Sequence, residues 1–150
     1  MAYSTILLAE DNYDDELLTV RALNKQLDGI NIVVAHNGVE VMDYLCATGP
    51  HEGRNRDDLP RVLLLDLKMP KMDGLATLQK IRGTDHTRLL PVVILTSSDE
   101  ETDQIASYQL GANSYVRKPV KFDDFLTATA KLGAYWLEVN QTAPYVRAIA

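Results

Sequence analysis

The residues of this chain that could do chemistry stand at the ends of short apolar segments. Glu10, Asp11 and Asp66 each follow such a segment, Thr96 closes another, and Lys118 comes just after a fourth. A continuous apolar run of four to eight residues is typical of a strand buried on both faces. A carboxylate does not fit such a core, so these side chains should lie where their strands emerge.

The segments that position them alternate between two periodicities. Predicted strands cover 4–9, 31–35, 62–65, 91–95 and 114–116, and helical spacing fills the intervals, with a last helix at 122–138. Five such alternations predict a doubly wound α/β fold with a five-stranded parallel sheet. One common strand order is 2-1-3-4-5, which places its crevice between the first and third strands.

In that order the three carboxylates converge on one crevice. Glu10 and Asp11 leave the first strand, and Asp66 leaves its neighbour, the third. Like charges this close cannot all stay ionised without compensation. An oxygen-only donor set with few carboxylates suits Mg²⁺ better than Zn²⁺. The sequence therefore predicts a magnesium site at this crevice.

Composition excludes several classes of protein. The chain has 150 residues, which suits one domain, and no apolar run long enough to cross a membrane. A single cysteine, Cys46, allows no intrachain disulfide and favours a cytoplasmic location. The formal net charge of −6 argues against a nucleic-acid surface. The polar segment 48–60 is predicted to be an exposed loop, with His51 at its surface.

Four pieces of the sequence carry a family resemblance: ILLAEDN, LLLDLKMPKMDG, VVILTSS and LGANSYVRKP. In this order and at these strand ends they resemble a response-regulator receiver domain of two-component signalling, which has a flavodoxin-like fold. The resemblance covers residues 4 to about 120, and the last helix extends it to about 137.

The resemblance implies a role for each residue of the crevice. Asp66 matches the phospho-acceptor, Asp11 a metal ligand and Glu10 its acidic neighbour. The backbone carbonyl of Lys68 matches a further metal ligand. Two more matches complete the site: Thr96 as the switch hydroxyl and Lys118 as the lysine that meets the phosphoryl group. The bond between Lys118 and Pro119 resembles the family's cis peptide, and Tyr115 matches the aromatic that couples to Thr96.

These matches imply a regulator that receives a phosphoryl group on Asp66 from a sensor histidine kinase and is not otherwise an enzyme. No output domain follows the last helix, so we expect a single-domain regulator that acts through protein partners, or else a phosphorelay shuttle or phosphate sink. The long loop and the C-terminal continuation resemble the small regulators of cyanobacterial and bacterial phytochromes. We expect a receiver domain at 1–140 and a C-terminal arm at 141–150.

The resemblance also implies assembly. We expect a homodimer through the face made by helix four, strand five and helix five, together with the arm. Pro144 breaks the helix, so Tyr145 to Ala150 should be extended.

Two other classes compete with this interpretation. A haloacid-dehalogenase-type phosphohydrolase needs a second acid two residues after the nucleophile, where this chain has Lys68. A binding module without phosphorylation would not need Asp11, Asp66, Thr96 and Lys118 together. A Rossmann dinucleotide site is excluded because no G-x-G-x-x-G follows the first strand.

Overall fold

A computed structural model describes residues 4–144 of the chain. Strands and helices alternate through this region. The strands are β1 (Ser4–Ala9), β2 (Ile30–Ala35), β3 (Val62–Leu65), β4 (Val92–Thr96) and β5 (Ser114–Arg117). The helices are α1 (Tyr13–Gln26), α2 (Gly38–Cys46), α3 (Gly74–Arg82), α4 (Glu101–Gln109) and α5 (Phe122–Ala134). None of these helices combines the length and the apolarity that crossing a bilayer would require.

The strands form one parallel sheet in the order β2-β1-β3-β4-β5. The predicted α/β class and strand order are therefore confirmed. Strand β1 pairs with β3 so that Ala9 stands opposite Leu65, which aligns the residues that follow them, Glu10 and Asp66, at the same edge. This register is what brings acidic residues far apart in sequence into one crevice.

Two apolar layers cover the sheet because successive side chains of a strand point to opposite faces. Ile6 and Leu8 pack with Leu23 of α1 and Trp136 beyond α5. Leu7 and Ala9 pack on the other face with side chains of α2 and α3, including Leu45 and Leu78. Strand β3 is buried along its whole length, as its unbroken apolar sequence predicts.

The end of the last helix differs from the prediction. The α-helical part ends at Ala134, and Tyr135–Val139 forms a π-helical turn closed by a hydrogen bond of 2.7 Å from the Asn140 N–H to the Tyr135 carbonyl. The wider turn accompanies the burial of Trp136, which is only 8% exposed. Residues 145–150, where an extended arm is predicted, lie outside the described residues.

The loop between α2 and β3 makes more contacts with α2 than its polar sequence predicts. The guanidinium of Arg54 lies 4.0 Å from the centre of the Tyr44 ring, and its Nη2 donates to the Tyr44 carbonyl at 2.8 Å. His51 is less exposed than predicted: its ring is partly buried and packs at a steep angle against Tyr44, with 5.1 Å between the ring centres. A basic and an aromatic side chain thus anchor the loop.

Candidate functional site

The acidic residues that follow β1 and β3 form a compact cluster. Glu10, Asp11 and Asp66 each offer a carboxylate oxygen, and these oxygens all lie within 4.8 Å of one another. Glu10 is 1% exposed and Asp66 7% exposed, whereas Asp11 faces solvent. The cluster therefore has a buried floor and an open side.

Lys118 lies directly against this floor. Its Nζ donates to Glu10 Oε2 at 2.6 Å, to Asp15 Oδ2 at 2.8 Å and to Asp66 Oδ2 at 3.1 Å. The lysine is 8% exposed, and its backbone N–H donates to the Thr96 carbonyl at 2.7 Å. The end of β4 thus positions the backbone that carries this ammonium group.

The peptide bond that follows the lysine differs from the family expectation. The described part of the chain has no cis peptide bond, so the bond between Lys118 and Pro119 is trans and the expected cis form is wrong. Trans is the lower-energy form of an X–Pro bond by about 0.5–1 kcal/mol. The trans loop delivers Nζ to the three carboxylates named above.

The charges of these buried groups influence one another. Burial raises the pKa of Glu10 to about 7, even though its hydrogen bond to Lys118 acts in the opposite direction. Burial alone would lower the pKa of Lys118, but hydrogen bonds to Asp15 and Glu10 and the charge of Asp66 together raise it. One ammonium group thus faces more than one negative charge, and a bound cation would favour the ionised form of Glu10.

A sharp turn follows Asp66. The Lys68 N–H points to Asp66 Oδ1 at 3.4 Å, and the Met72 N–H donates to the Pro70 carbonyl at 2.7 Å. Lys71, between them, has a φ of +66°, which a non-glycine residue rarely adopts. This turn brings the chain from β3 to α3 at Gly74.

The residues beside β4 form a second small network. Thr96 is fully buried, and its Oγ1 accepts from the Ser98 N–H at 3.3 Å. The Tyr115 hydroxyl donates to the Ser98 carbonyl at 3.0 Å, so Tyr115 contacts the loop after Thr96. Ser98 Oγ in turn donates to Asp103 of α4 at 2.7 Å. The network joins β4, α4 and β5.

Sequence reasoning missed one residue of this site. Asp15 lies in the first turn of α1, where negative charge favours the helix dipole, so the sequence alone offers a complete local explanation for this residue. Its contact with Lys118 joins residues 103 positions apart, so it depends on the sheet order and on the direction of one side chain. No local pattern in the sequence signals such a contact.

The site thus places the Asp66 carboxylate beside the Lys118 ammonium group and two further acidic side chains, Glu10 and Asp11. Residues 6–130 match the response regulator receiver domain. The chain belongs to the response regulator receiver family. Its receiver is thus related to two-component signalling proteins.

The similar proteins include regulators of phytochromes. The chain is 34% identical over 133 residues to response regulator Rcp1 of Synechocystis sp., covering 89% of this chain and 88% of Rcp1. A Mn²⁺-bound structure of Rcp1 superposes with a TM-score of 0.85, at 32% identity and over 93% of this chain and 99% of that one.

Two further structures extend this similarity. The phosphorylated cyanobacterial phytochrome response regulator RcpA gives a TM-score of 0.87 at 31% identity, over 94% of this chain and 99% of that one. The bacteriophytochrome response regulator AtBRR is 48% identical, with a TM-score of 0.72 and coverage of 94% and 100%. The receiver therefore resembles phytochrome response regulators along nearly its whole length.

Proposed function

We propose that Asp66 accepts a phosphoryl group from a sensor histidine kinase and that the phosphorylated receiver signals through protein partners. The carrying observation is the surroundings of the Asp66 carboxylate, which lies 3.1 Å from the Lys118 ammonium and beside the Glu10 and Asp11 oxygens. A carboxylate is a competent nucleophile for phosphoryl transfer when its surroundings neutralise the charge that develops.

The transfer exchanges one bond to phosphorus for another. A carboxylate oxygen of Asp66 attacks the phosphorus of a phosphohistidine, a P–O bond forms, and the P–N bond breaks with its electron pair left on the imidazole nitrogen. Lys118 donates to a phosphoryl oxygen. Thr96, at the end of the neighbouring strand β4, supplies a hydroxyl that can do the same after a small movement.

Glu10, Asp11 and Asp66, with the backbone carbonyl of Lys68, would hold Mg²⁺. Three carboxylate oxygens within 4.8 Å of one another fit a hard divalent cation with oxygen ligands. When bound, the ion supplies positive charge that offsets the acceptor and phosphoryl oxygens. The similarity to response regulator Rcp1, which has a Mn²⁺-bound form, also supports the binding of a divalent cation.

The proposed kinase partner is a phytochrome. The similarity to RcpA, Rcp1 and AtBRR supports this choice. Phosphotransfer from a purified bacterial phytochrome kinase to the receiver should be faster than transfer from an unrelated histidine kinase. Equal rates from the two kinases would argue against this partner.

We also propose a receiver at 1–140 followed by an arm at 141–150, and a homodimer that uses the arm and the surface of α4, β5 and α5. Two large apolar side chains of α4 are about half exposed, Ile105 at 51% and Tyr108 at 49%, and Val120, between β5 and α5, is 96% exposed. Their exposure supports a protein partner at this surface.

The phosphorylation proposal is tested by intact mass after incubation with acetyl phosphate and Mg²⁺. The wild-type chain should gain the mass of one phosphoryl group, which hydroxylamine should release, and Asp66→Asn should gain none. Asp14→Asn, an exposed change of the same kind on α1, is the control and should behave as wild type. Equal phosphate on Asp66→Asn would assign the modification to another residue.

A further inference from the structure

The Lys118 ammonium group has no free donor in this structure. An ammonium carries three N–H donors. Carboxylates of Glu10, Asp15 and Asp66 lie at 2.6, 2.8 and 3.1 Å from Nζ, one for each donor. A phosphoryl oxygen can therefore receive a hydrogen bond from Lys118 only if one of these carboxylates gives up its own.

Asp15 is held firmly although its side chain is 29% exposed. Its N–H donates to Asn12 Oδ1 at 3.0 Å, and its carbonyl accepts from the Thr19 hydroxyl at 2.8 Å. Thr19 is itself buried, at 1% exposure. The first turn of α1 thus fixes the backbone of Asp15 from both sides, and its carboxylate reaches Lys118 from a rigid element.

Asp15 also differs from the other two partners of the lysine in its relation to the cation site. Among the described residues, the carboxylates close enough to share an ion are Glu10, Asp11 and Asp66. A cation would draw on Glu10 and Asp66, and a phosphoryl group would change Asp66 itself. Asp15 is therefore the partner of Lys118 that neither the cation nor the phosphoryl group would engage.

We propose that Asp15 is a positioning residue for Lys118, which keeps the ammonium group aimed at the acceptor while the cation and the phosphoryl group take over Glu10 and Asp66. The inference rests on the proposed function, since it concerns the phosphorylation of Asp66. Without Asp15, Lys118 loses the one hydrogen-bond partner that stays the same throughout the reaction. Its charge is then no longer held beside the incoming phosphoryl oxygens.

The test is the initial rate of phosphate gain from acetyl phosphate over a Mg²⁺ titration. Asp15→Asn should lower the rate at saturating Mg²⁺ about tenfold, the effect of losing one charge-assisted hydrogen bond in the transition state. The half-saturating Mg²⁺ concentration should stay close to that of wild type. Asp14→Asn removes the same charge from the same turn of α1 and should leave the rate unchanged, which controls for general electrostatics.

A second comparison separates positioning from a structural effect. In a Lys118→Met background, Asp15→Asn should cause no further loss of rate, and a further tenfold loss there would overturn the inference. A wild-type rate in Asp15→Asn, or a faster one, would also overturn it while leaving the proposed function intact. A wild-type chain that takes up no phosphate would instead defeat the proposed function, and this inference with it.

Discussion

The Glu10, Asp11 and Asp66 carboxylates are placed to repel one another. Two of them are buried, and burial raises the pKa of Glu10 to about 7. Lys118 compensates part of the charge, but its donors are shared with Asp15 as well. A divalent cation that binds only the folded chain would relieve this repulsion and so stabilise the fold.

Removal of one proposed ligand tests this effect of the metal. At a Mg²⁺ concentration one hundred times Kd, linkage gives about 2.7 kcal/mol of stabilisation, which for a chain of this size raises Tm by about 5–10 °C. Asp11→Asn should reduce this rise strongly, because it removes one proposed ligand of the ion. Asp11 is exposed and is given no other role in the site. Thermal melts with Mg²⁺ and with a chelator measure the difference.

The matched control is again Asp14→Asn, which should show the wild-type rise. If Asp11→Asn and wild type rise equally, the ion binds elsewhere.

For single residues, the sequence indicates which side chains belong to the site but not which of them form hydrogen bonds with one another. Strand ends predicted that Glu10 and Asp66 would meet, because parallel strands place their carboxyl ends at one edge. The partners of the Lys118 ammonium could not be read from spacing. They depend on side-chain directions from α1 and from the loop after β5.

Helix α3 shows how an element can fix the geometry of a residue it does not contain. A Cβ on Gly74, its first residue, would meet the Asp66 carbonyl oxygen and lie 2.7 Å from Leu67 Cα. Both are backbone atoms, which cannot give way as a flexible side chain can. The close approach of Gly74 therefore sets the position of the turn that carries Asp66.

A Gly74→Ala substitution should destabilise the fold by about 1–3 kcal/mol, the usual cost of overpacking, and should slow the phosphorylation of Asp66. Gly83→Ala is the control at the other end of α3. Its Cβ would meet nothing nearer than the Gln79 carbonyl at 3.4 Å, so it should stay within about 0.5 kcal/mol of wild type. Urea unfolding measures both. A Gly74→Ala chain as stable as Gly83→Ala would show that the turn adjusts freely.

We expect the loop between β4 and α4 to be the element that responds to the proposed phosphorylation. It is held by the Tyr115 hydroxyl on the Ser98 carbonyl and by Ser98 Oγ on Asp103. We expect that a phosphoryl group draws the Thr96 hydroxyl toward it and shifts the population of this loop. Amide exchange should then change across 99–120.

Substitution of the tyrosine tests this route. Tyr115→Phe, which loses the hydroxyl contact, should reduce the change in exchange, while Tyr108→Phe on the exposed face of α4 should not. Changes confined to 38–60 would contradict a response through β4 and β5.

The sequence predicts the buried strands well. It predicts the ends of the helices less well, because these depend on contacts of individual side chains. All five strands fall within one or two residues of the predicted ranges. Helix α4 begins at Glu101, after a loop in which Ser98 Oγ donates to the Asp103 carboxylate, and the helical spacing of the sequence does not reveal this contact. The π-helical turn after α5 accompanies the placement of Trp136 in the core, and helical spacing alone does not reveal it.

Two of the surfaces with exposed apolar side chains among residues 4–144 bear on assembly. One is the α4, β5 and α5 surface already described. The other follows α5, where Tyr135 is 47% and Val139 63% exposed. Beyond them, Thr142, Ala143 and Pro144 line one wall of a cleft of about 360 Å³ that also includes Leu89. The sequence continues with further apolar residues, Tyr145, Val146 and Ile149.

These surfaces lead to a prediction about assembly. Burial of apolar surface gives about 25 cal/mol per Å², and a two-fold pair of chains buries the same patch twice. We expect the full chain to be a dimer at micromolar concentration and a chain ending at Asn140 to be mainly a monomer. Light scattering should give twice the 16.7 kDa chain mass for the first and about one chain mass for the second.

A second pair of variants locates the interface. Ile105→Glu and Tyr108→Glu place charge on α4 without touching the C-terminal segment. If the truncated chain still dimerises and these variants do not, the interface lies on α4, β5 and α5 alone, because a buried charge without a partner opposes association there. If truncation alone abolishes the dimer, residues 141–150 provide the contact. A full chain that is monomeric at micromolar concentration would refute the dimer, and the exposed apolar surface would then await a different protein partner.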